Sequence, residues 1–476
     1  MPEDFLLNQN VINMEYAVRG PLYHKASELR KQGRTIIPCN IGNPHALGQT
    51  PVSFYRQVLS LLEYPPHIKR ERTLKGQAPA LKGMDNQEWI SDYVLDFSED
   101  FLTKMETGMG AYTDSKGPRF IREAVSRFID KRDGVTPDRG VPSIPDHIFL
   151  TDGASEGIKN IMELLISDGN DGIMIPIPTY PLYSATIARL GGRQVNYYPD
   201  EESGWTLNRD ILEESLAKAH RENVNVKAIV VINPANPTGA ILDKKSIIDI
   251  IEFSGENGLA IFADEVYQDN LYGSEFLSFS KALGDDKNIP LFSFHSASKG
   301  FYGECGHRGG YFEVRNPPGS QGSNTGFIDI LFKQASVNLC SNTTGQALIY
   351  LLSSPPPEGS EPYDQFNREK QGILSDLYEK AGMIKNSFKE MDDVECFGKV
   401  GAMYLFPRFN TLPAGKTDFD YCVSLLEETG LTTVNGSGFG QKEGTHHLRI
   451  AFLPPKNTLE DVLPRWIEFH NNYVRS

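Results

Sequence analysis

Leu291-Phe292-Ser293-Phe294-His295-Ser296-Ala297-Ser298-Lys299, running on through Gly300-Phe301-Tyr302-Gly303-Glu304-Cys305-Gly306-His307-Arg308-Gly309 into Gly310-Tyr311-Phe312-Glu313-Val314, decides how this chain folds. Two short apolar and aromatic runs, Leu291–His295 and Gly310–Val314, flank a glycine-rich loop that carries one lysine and one arginine. Runs of the same kind recur upstream at His147–Thr151, Gly172–Pro176, Ala228–Ile232 and Leu259–Ala263. After the first, Ile158, Ile161, Met162 and Leu165 recur at helical spacing, which predicts a helix directly behind a strand. Continuous β-branched and aromatic strands alternating with helices predict an α/β fold: a mostly parallel sheet covered on both faces by helices.

Beyond about residue 320 the pattern changes. Helical stretches dominate (Phe327–Val337, Tyr363–Met391), with only a few strand-like runs such as Met403-Tyr404-Leu405-Phe406 and Leu448–Phe452. The expected organisation is an N-terminal arm with part of a small domain over 1–95, a large domain over 96–320, and a smaller α+β domain over 321–476. The first ninety residues show turns, prolines and one helical stretch near Val52–Leu62, and are expected to wrap onto the smaller domain or a partner subunit. Ser353–Ser360 is a loop by composition.

The 476 residues carry a formal charge of −15, with 39% hydrophobic and 23% charged residues. That supports a sizeable core and argues against nucleic acid or an anionic membrane as the main partner. The one basic run, Lys69-Arg70-Glu71-Arg72, reads as a solvated face or loop. Five scattered cysteines without a C-x-x-C pair signal neither a disulfide framework nor structural zinc. The acidic N-terminus lacks a signal-peptide or transit pattern, and no apolar run could span a bilayer, so the expected compartment is the cytoplasm.

In an open α/β sheet, ligands bind outside the carboxyl ends of the strands, so the residues there carry the chemistry. Thr151-Asp152-Gly153-Ala154-Ser155-Glu156-Gly157 would place a glycine turn at a helix N-terminus, a cradle for phosphate, although alone it is an ordinary strand-to-helix turn. Asn233-Pro234-Ala235-Asn236-Pro237-Thr238-Gly239 forces a rigid turn that directs the Asn236 amide. Asp264-Glu265-Val266-Tyr267 puts an acid at the mouth of an apolar strand, where it needs a cation. Lys299 follows the fifth predicted strand, and Arg308 precedes the sixth in a place suited to a phosphate. A phosphate cradle, a directed amide, an acid and an amine in that order are what pyridoxal phosphate requires.

These residues resemble the fold-type I pyridoxal-phosphate enzymes of the class I and II aminotransferases, and within them the alanine aminotransferases. The likeness covers nearly the whole chain: Asn40-Ile41-Gly42-Asn43-Pro44, Gly110–Gly117, Asn236-Pro237-Thr238-Gly239, the Lys299–Tyr311 run and Arg449 in Leu448-Arg449-Ile450-Ala451. Lys299–Gly306 is the part most specific to the alanine group. The resemblance implies a large domain with a seven-stranded sheet. It implies that Lys299 forms the internal aldimine and acts as base, that Asp264 pairs with the pyridinium, and that Tyr267 and Asn236 bond the phenolic oxygen. Tyr180 would stack on the ring; Ala154, Ser155, Ser296 and Arg308 would hold the phosphate, with Tyr112 arriving from the other subunit of a homodimer with shared sites. Gly42, Asn236 and Arg449 would bind the substrate, Arg449 gripping its α-carboxylate.

The expected reaction is ping-pong transamination of L-alanine and 2-oxoglutarate to pyruvate and L-glutamate. Alternatives are a glutamate:glyoxylate or other amino-acid aminotransferase, or a lyase or synthase on the same fold; a non-catalytic regulator would bring a DNA-binding module, and no such segment is seen. The segment His67–Ile90 departs from the family pattern in length and polarity. His295, His307, His446 and His447 lack metal-ligand spacing, so no metal is expected, and Gly436–Gly440 reads as a substrate-side loop.

Overall fold

The computed structural model describes residues 7–16, 20–77, 90–286, 288–319 and 325–476. Its centre is a seven-stranded sheet: β1 (Ile148–Asp152), β2 (Asp171–Pro176), β3 (Arg193–Tyr197), β4 (Asn225–Ile232), β5 (Ala260–Asp264), β6 (Leu291–Ser296) and β7 (Gly309–Arg315). The spatial order is β1-β7-β6-β5-β4-β2-β3. Every neighbouring pair is parallel except those made by β7, which runs antiparallel to both β1 and β6.

Side chains alternate between two buried layers, as a pleated strand requires. Ala228, Val230 and Ile232 of β4 join Phe262, Phe292 and Phe294 in a core against helices Ala154–Leu165 and Leu182–Leu190. Ile229 and Val231 face the other way, with Ile261 and Leu291, onto helices Arg209–Arg221 and Lys244–Asn257. Burial on both faces is why these strands read as unbroken apolar runs. The strand absent from the sequence reading is β3. It lies at the sheet edge and exposes Arg193, Gln194 and Asn196, so only Val195 and Tyr197 carry an apolar signal.

The C-terminal part holds helices Phe327–Ala335, Thr343–Ser353, Tyr363–Ser387, Asp418–Thr429 and Lys456–Arg475. A three-stranded antiparallel sheet there sets Leu448–Ala451 between Tyr404–Leu405 and Val434–Asn435. Ile37–Pro38 pairs in parallel with Leu431–Thr432, while helix Ser53–Glu63 packs on helices Asp92–Met105 and Thr343–Ser353. The basic run lies in helix Pro66–Gln77, with Lys69 and Arg70 on a solvated face, and Arg72 donates to Asp96 (2.7 Å) and Glu99 (2.8 Å), exposed pairs of small energetic weight. Half of His67–Ile90, residues 78–89, lies outside the described residues. Among those described, no helix is long and apolar enough to cross a membrane.

Register sets the site. Ile232, Asp264 and Phe294 stand in one row across β4, β5 and β6, and Ser296 pairs with Gly310 one step further. The carboxyl ends of three parallel strands and the start of β7 therefore open at one edge.

Candidate active site

At that edge, two glycines let the β1 turn meet the start of β7. Gly153 has φ +80°, and a Cβ there would lie 2.3 Å from Arg308 Nη2; a Cβ on Gly310 would lie 2.6 Å from the Ala154 nitrogen. The helix beginning at Ala154 has no side-chain cap, so its first N–H groups and positive dipole end stay open to a ligand. Arg308, itself left-handed at φ +56°, is aimed into this turn. Its Nη1 donates to Ser298 Oγ (3.4 Å) and the Cys305 carbonyl (3.1 Å), and its Nη2 to the Asp152 carbonyl (3.1 Å) and Ser155 Oγ (3.4 Å). All four acceptors are neutral. Buried Ser296 lies beside them, its Oγ accepting from the Ser298 N–H at 3.2 Å.

The middle of the site is built on β5 and the loop after β6. Asp264 is the last residue of β5; its Oδ2 accepts from Tyr183 Oη at 2.7 Å and its Oδ1 from the Val266 N–H at 3.4 Å. Burial pushes its carboxyl up to about 6, against the Tyr183 and Val266 hydrogen bonds and the nearby Lys299 cation. Lys299 Nζ donates to the Gly42 carbonyl at 2.8 Å and lies 5.8 Å from the Tyr267 ring centre. Gly300 anchors the lysine loop by donating its N–H to Asn270 Oδ1. Tyr180, half-buried, shares a 2.6 Å hydroxyl contact with Tyr16.

The third part is a buried guanidinium. Arg449, 1% exposed, donates Nη1 to Asn236 Oδ1 (3.0 Å) and Nη2 to the Asn40 carbonyl (2.6 Å). Its Nε has no partner among the described residues. The guanidinium lies 4.2 Å from the Tyr404 ring centre and 4.7 Å from that of Phe439. A cation held among neutral groups and aromatic faces is costly to bury, and an incoming carboxylate offsets that cost.

The structure thus gathers Lys299, Gly42, Tyr267, Asn236 and Arg449 around one residue the sequence reading treated only as strand, Tyr404. Its hydroxyl sits 3.4 Å from that of Tyr267, and a Cβ on Gly42 would be 1.9 Å from it and 3.2 Å from Lys299 Nζ. Burial opposes ionisation of the Tyr404 phenol, but Lys299 and Arg449 together bring it below the ordinary tyrosine value. The polar tip on a buried run, Met403–Phe406, was the available signal. Tyr183 was also missed, although it follows Tyr180 by only three residues, in the first turn of helix Leu182–Leu190. Phe439, inside the segment read as a substrate-side loop, does lie against Arg449.

Tyr112 is brought to none of these groups. Its loop is fixed by Thr113, whose N–H donates to Cys340 Sγ and whose hydroxyl contacts Gln346, while the Tyr112 ring stays 76% exposed. Of the histidines, His307 contacts Glu304 and His447 contacts Glu201, whereas His295 is fully enclosed and burial pushes its imidazolium down to about 3.

Pyridoxal phosphate fits this donor set: an arginine with neutral acceptors beside an open helix start, a buried acid with one under-satisfied oxygen, and a lysine near that acid. These features on this sheet define a fold-type I pyridoxal-phosphate transferase. The family profile "Aminotransferase class I and II" matches residues 84–465, and the chain belongs to that family. It is 43% identical to glutamate–glyoxylate aminotransferase 2 of Arabidopsis thaliana, over 98% of this chain and 95% of that protein. It is 40% identical to alanine aminotransferase 2 of Panicum miliaceum, over 98% and 97% of the two chains. Among solved structures, an alanine aminotransferase from Pyrococcus furiosus superposes with a TM-score of 0.77 at 25% identity, covering 98% of this chain and all of the other. The protein is a pyridoxal-phosphate-dependent aminotransferase acting on amino and keto acids.

Proposed function

We propose that this aminotransferase exchanges L-alanine and 2-oxoglutarate for pyruvate and L-glutamate, as a cytoplasmic homodimer with shared sites. The observation carrying the reading is the wall between Lys299 and Arg449. Tyr404 fills it, its hydroxyl taking the space a side chain at Gly42 would need, which favours a small group on the substrate Cα. The dimer is supported by exposed Tyr112 on an anchored loop, and by the exposed Val337 and Leu339 in the segment that bonds that loop. Residence in the cytoplasm is supported by five free cysteines. The division proposed is an arm over 1–95, a cofactor domain over 96–320 and a small domain over 321–476, Arg449 coming from the last and Lys299 from the second.

Arg308, Ser155, Ser296 and the Ala154 end of the helix would hold the cofactor phosphate. Asp264 would face the ring nitrogen, Asn236 and Tyr267 the phenolic oxygen, Tyr180 the ring face, and Lys299 the reactive carbon. Bound pyridoxal phosphate supplies the sink for the electron pair left when the substrate Cα loses its proton. Arg449 fixes the substrate by its carboxylate. Lys299 Nζ, drawn toward the Gly42 carbonyl, takes the Cα proton and returns one, while Tyr404 and Phe439 keep water from the guanidinium.

A second reading, glutamate with glyoxylate, is supported by the relative at 43% identity. The test is kcat/KM for alanine, aspartate, phenylalanine and glutamate, each with 2-oxoglutarate and glyoxylate as acceptors where they differ from the product. Alanine with 2-oxoglutarate should rank first, and serine or 2-aminobutyrate should retain activity, because one methylene changes recognition by only about 1–3 kcal/mol. Alanine below aspartate or phenylalanine would refute the proposal; glutamate with glyoxylate ranking first would favour the second reading.

A further inference from the structure

The backbone around Asp264 is pinned from both sides. Its carbonyl accepts from the Asn233 N–H at 3.0 Å, and the next residue, Glu265, donates its N–H to the Phe294 carbonyl at 3.0 Å. Glu265 projects to the opposite face of the sheet, where its carboxylate accepts from the Phe279 N–H at 2.8 Å and meets Arg132 at 3.4 Å. What remains free is the turn of the Asp264 carboxylate about its own side-chain bonds. One side chain removes that freedom. Tyr183, with no exposed surface, donates its hydroxyl to Oδ2 at 2.7 Å, and no other side-chain donor bonds Asp264 among the described residues. Oδ1 keeps only the long Val266 contact, so it is the oxygen left for an outside donor. Burial and the neighbouring Asp264 keep the Tyr183 phenol protonated, so it serves as a donor throughout.

We infer that Tyr183 is a positioning residue of the cofactor site: by holding Oδ2 it presents Oδ1 of Asp264, ionised, to the ring nitrogen of pyridoxal phosphate. The inference rests on Asp264 being the partner of that nitrogen. Its geometry parallels other sites in which an outer hydrogen bond fixes a charged ligand group.

The test is a cycle of Tyr183→Phe, Asp264→Ala and the double variant in the full chain. The readouts are the dissociation constant for pyridoxal phosphate added to apoprotein and the ¹⁵N shift of its ring nitrogen when bound. Tyr183→Phe should weaken cofactor binding and kcat by about ten- to a hundredfold, the range of one hydrogen bond to a charged group, with the KM for the amino donor little changed. The ring-nitrogen signal should move toward the unprotonated position. In the Asp264→Ala background the same change should have no further effect. A Tyr183→Phe loss that persists in that background would show a general packing role and overturn the inference, as would an unmoved nitrogen signal in the single variant. If Asp264→Ala alone leaves binding and the nitrogen signal intact, the assignment of Asp264 itself fails, and the inference with it.

Discussion

Replacing Arg449 by methionine should separate catalysis from stability. The guanidinium is buried, bonded only to Asn236 Oδ1 and the Asn40 carbonyl, with Nε unpartnered among the described residues. Methionine fills a similar volume between Tyr404 and Phe439 and relieves the desolvation of a buried charge, several kcal/mol in size. Against that, two neutral oxygens lose a donor, at about 1–3 kcal/mol each. The two effects nearly cancel, so the unfolding free energy of the apoprotein should change by no more than about 2 kcal/mol in urea titrations. Substrate binding has no such compensation. A carboxylate arriving against methionine is buried without its cation, a loss of about 3–5 kcal/mol, or two to three and a half decades in kcat/KM for alanine. The assay compares alanine with ethylamine, which has the same amine and no carboxylate, in single-turnover reactions. Arg449→Met should erase the advantage of alanine and leave the slow ethylamine rate nearly unchanged. A fall of less than tenfold for alanine, or an equal fall for both amines, would refute the assignment of Arg449 to the carboxylate.

Lys299→Ala should lose borohydride-fixed cofactor and several orders of magnitude in turnover, because attachment and proton transfer depend on one amine; a near-normal rate would remove the basis of the mechanism. Mixing Tyr112→Ala with Lys299→Ala protein should restore part of the activity if sites are shared between subunits, and no recovery after demonstrated subunit exchange would confine Tyr112 to a role outside the site. Asp264 provides a pH test on the apoprotein. Its carboxyl is raised to about 6, above its unfolded value, so the folded state binds more protons between about pH 4 and 6 and stability falls as pH rises through that window, by about 3 kcal/mol at most. Asp264→Asn should flatten this slope, and an unchanged slope in denaturation at pH 4.5 and 7.5 would show that other groups produce it.

The central strands were legible because burial on both faces leaves few polar side chains to break the run, as in Ala228–Ile232 and Ala260–Ala263. Edge strand β3 was not, since three of its five residues face water. The lysine loop and the Asn236 turn could be read because each follows a strand end with its chemistry concentrated in a few neighbouring residues, whereas Arg449, inside strand Leu448–Ala451, was legible only through the family resemblance. Tyr404 and Tyr183 could not, because their meaning lies in contacts 137 and 81 residues away: the hydroxyl of Tyr267 in one case and Asp264 in the other. Gly42 was assigned to substrate, and in the structure its carbonyl accepts from Lys299 Nζ.

The adjacency of Asp264 and Glu265 has a bearing on how the chain finds its fold. Successive residues of a strand point to opposite sides, so a slip of β5 by one position would exchange the two acids, offering a carboxylate to the cofactor side in a wrongly threaded sheet. Such a product would be hard to reject by hydrophobicity alone, since Ala260–Ala263 ahead of the acids is apolar on both faces. Arg132 supplies the discrimination. Gripped by Asp133 and set behind the sheet, it accepts Glu265 there, whereas a slipped strand would offer it the shorter aspartate and leave the longer acid crowding the cofactor side. The Arg132–Glu265 contact thus belongs to the register in which Asp264 faces the opposite layer.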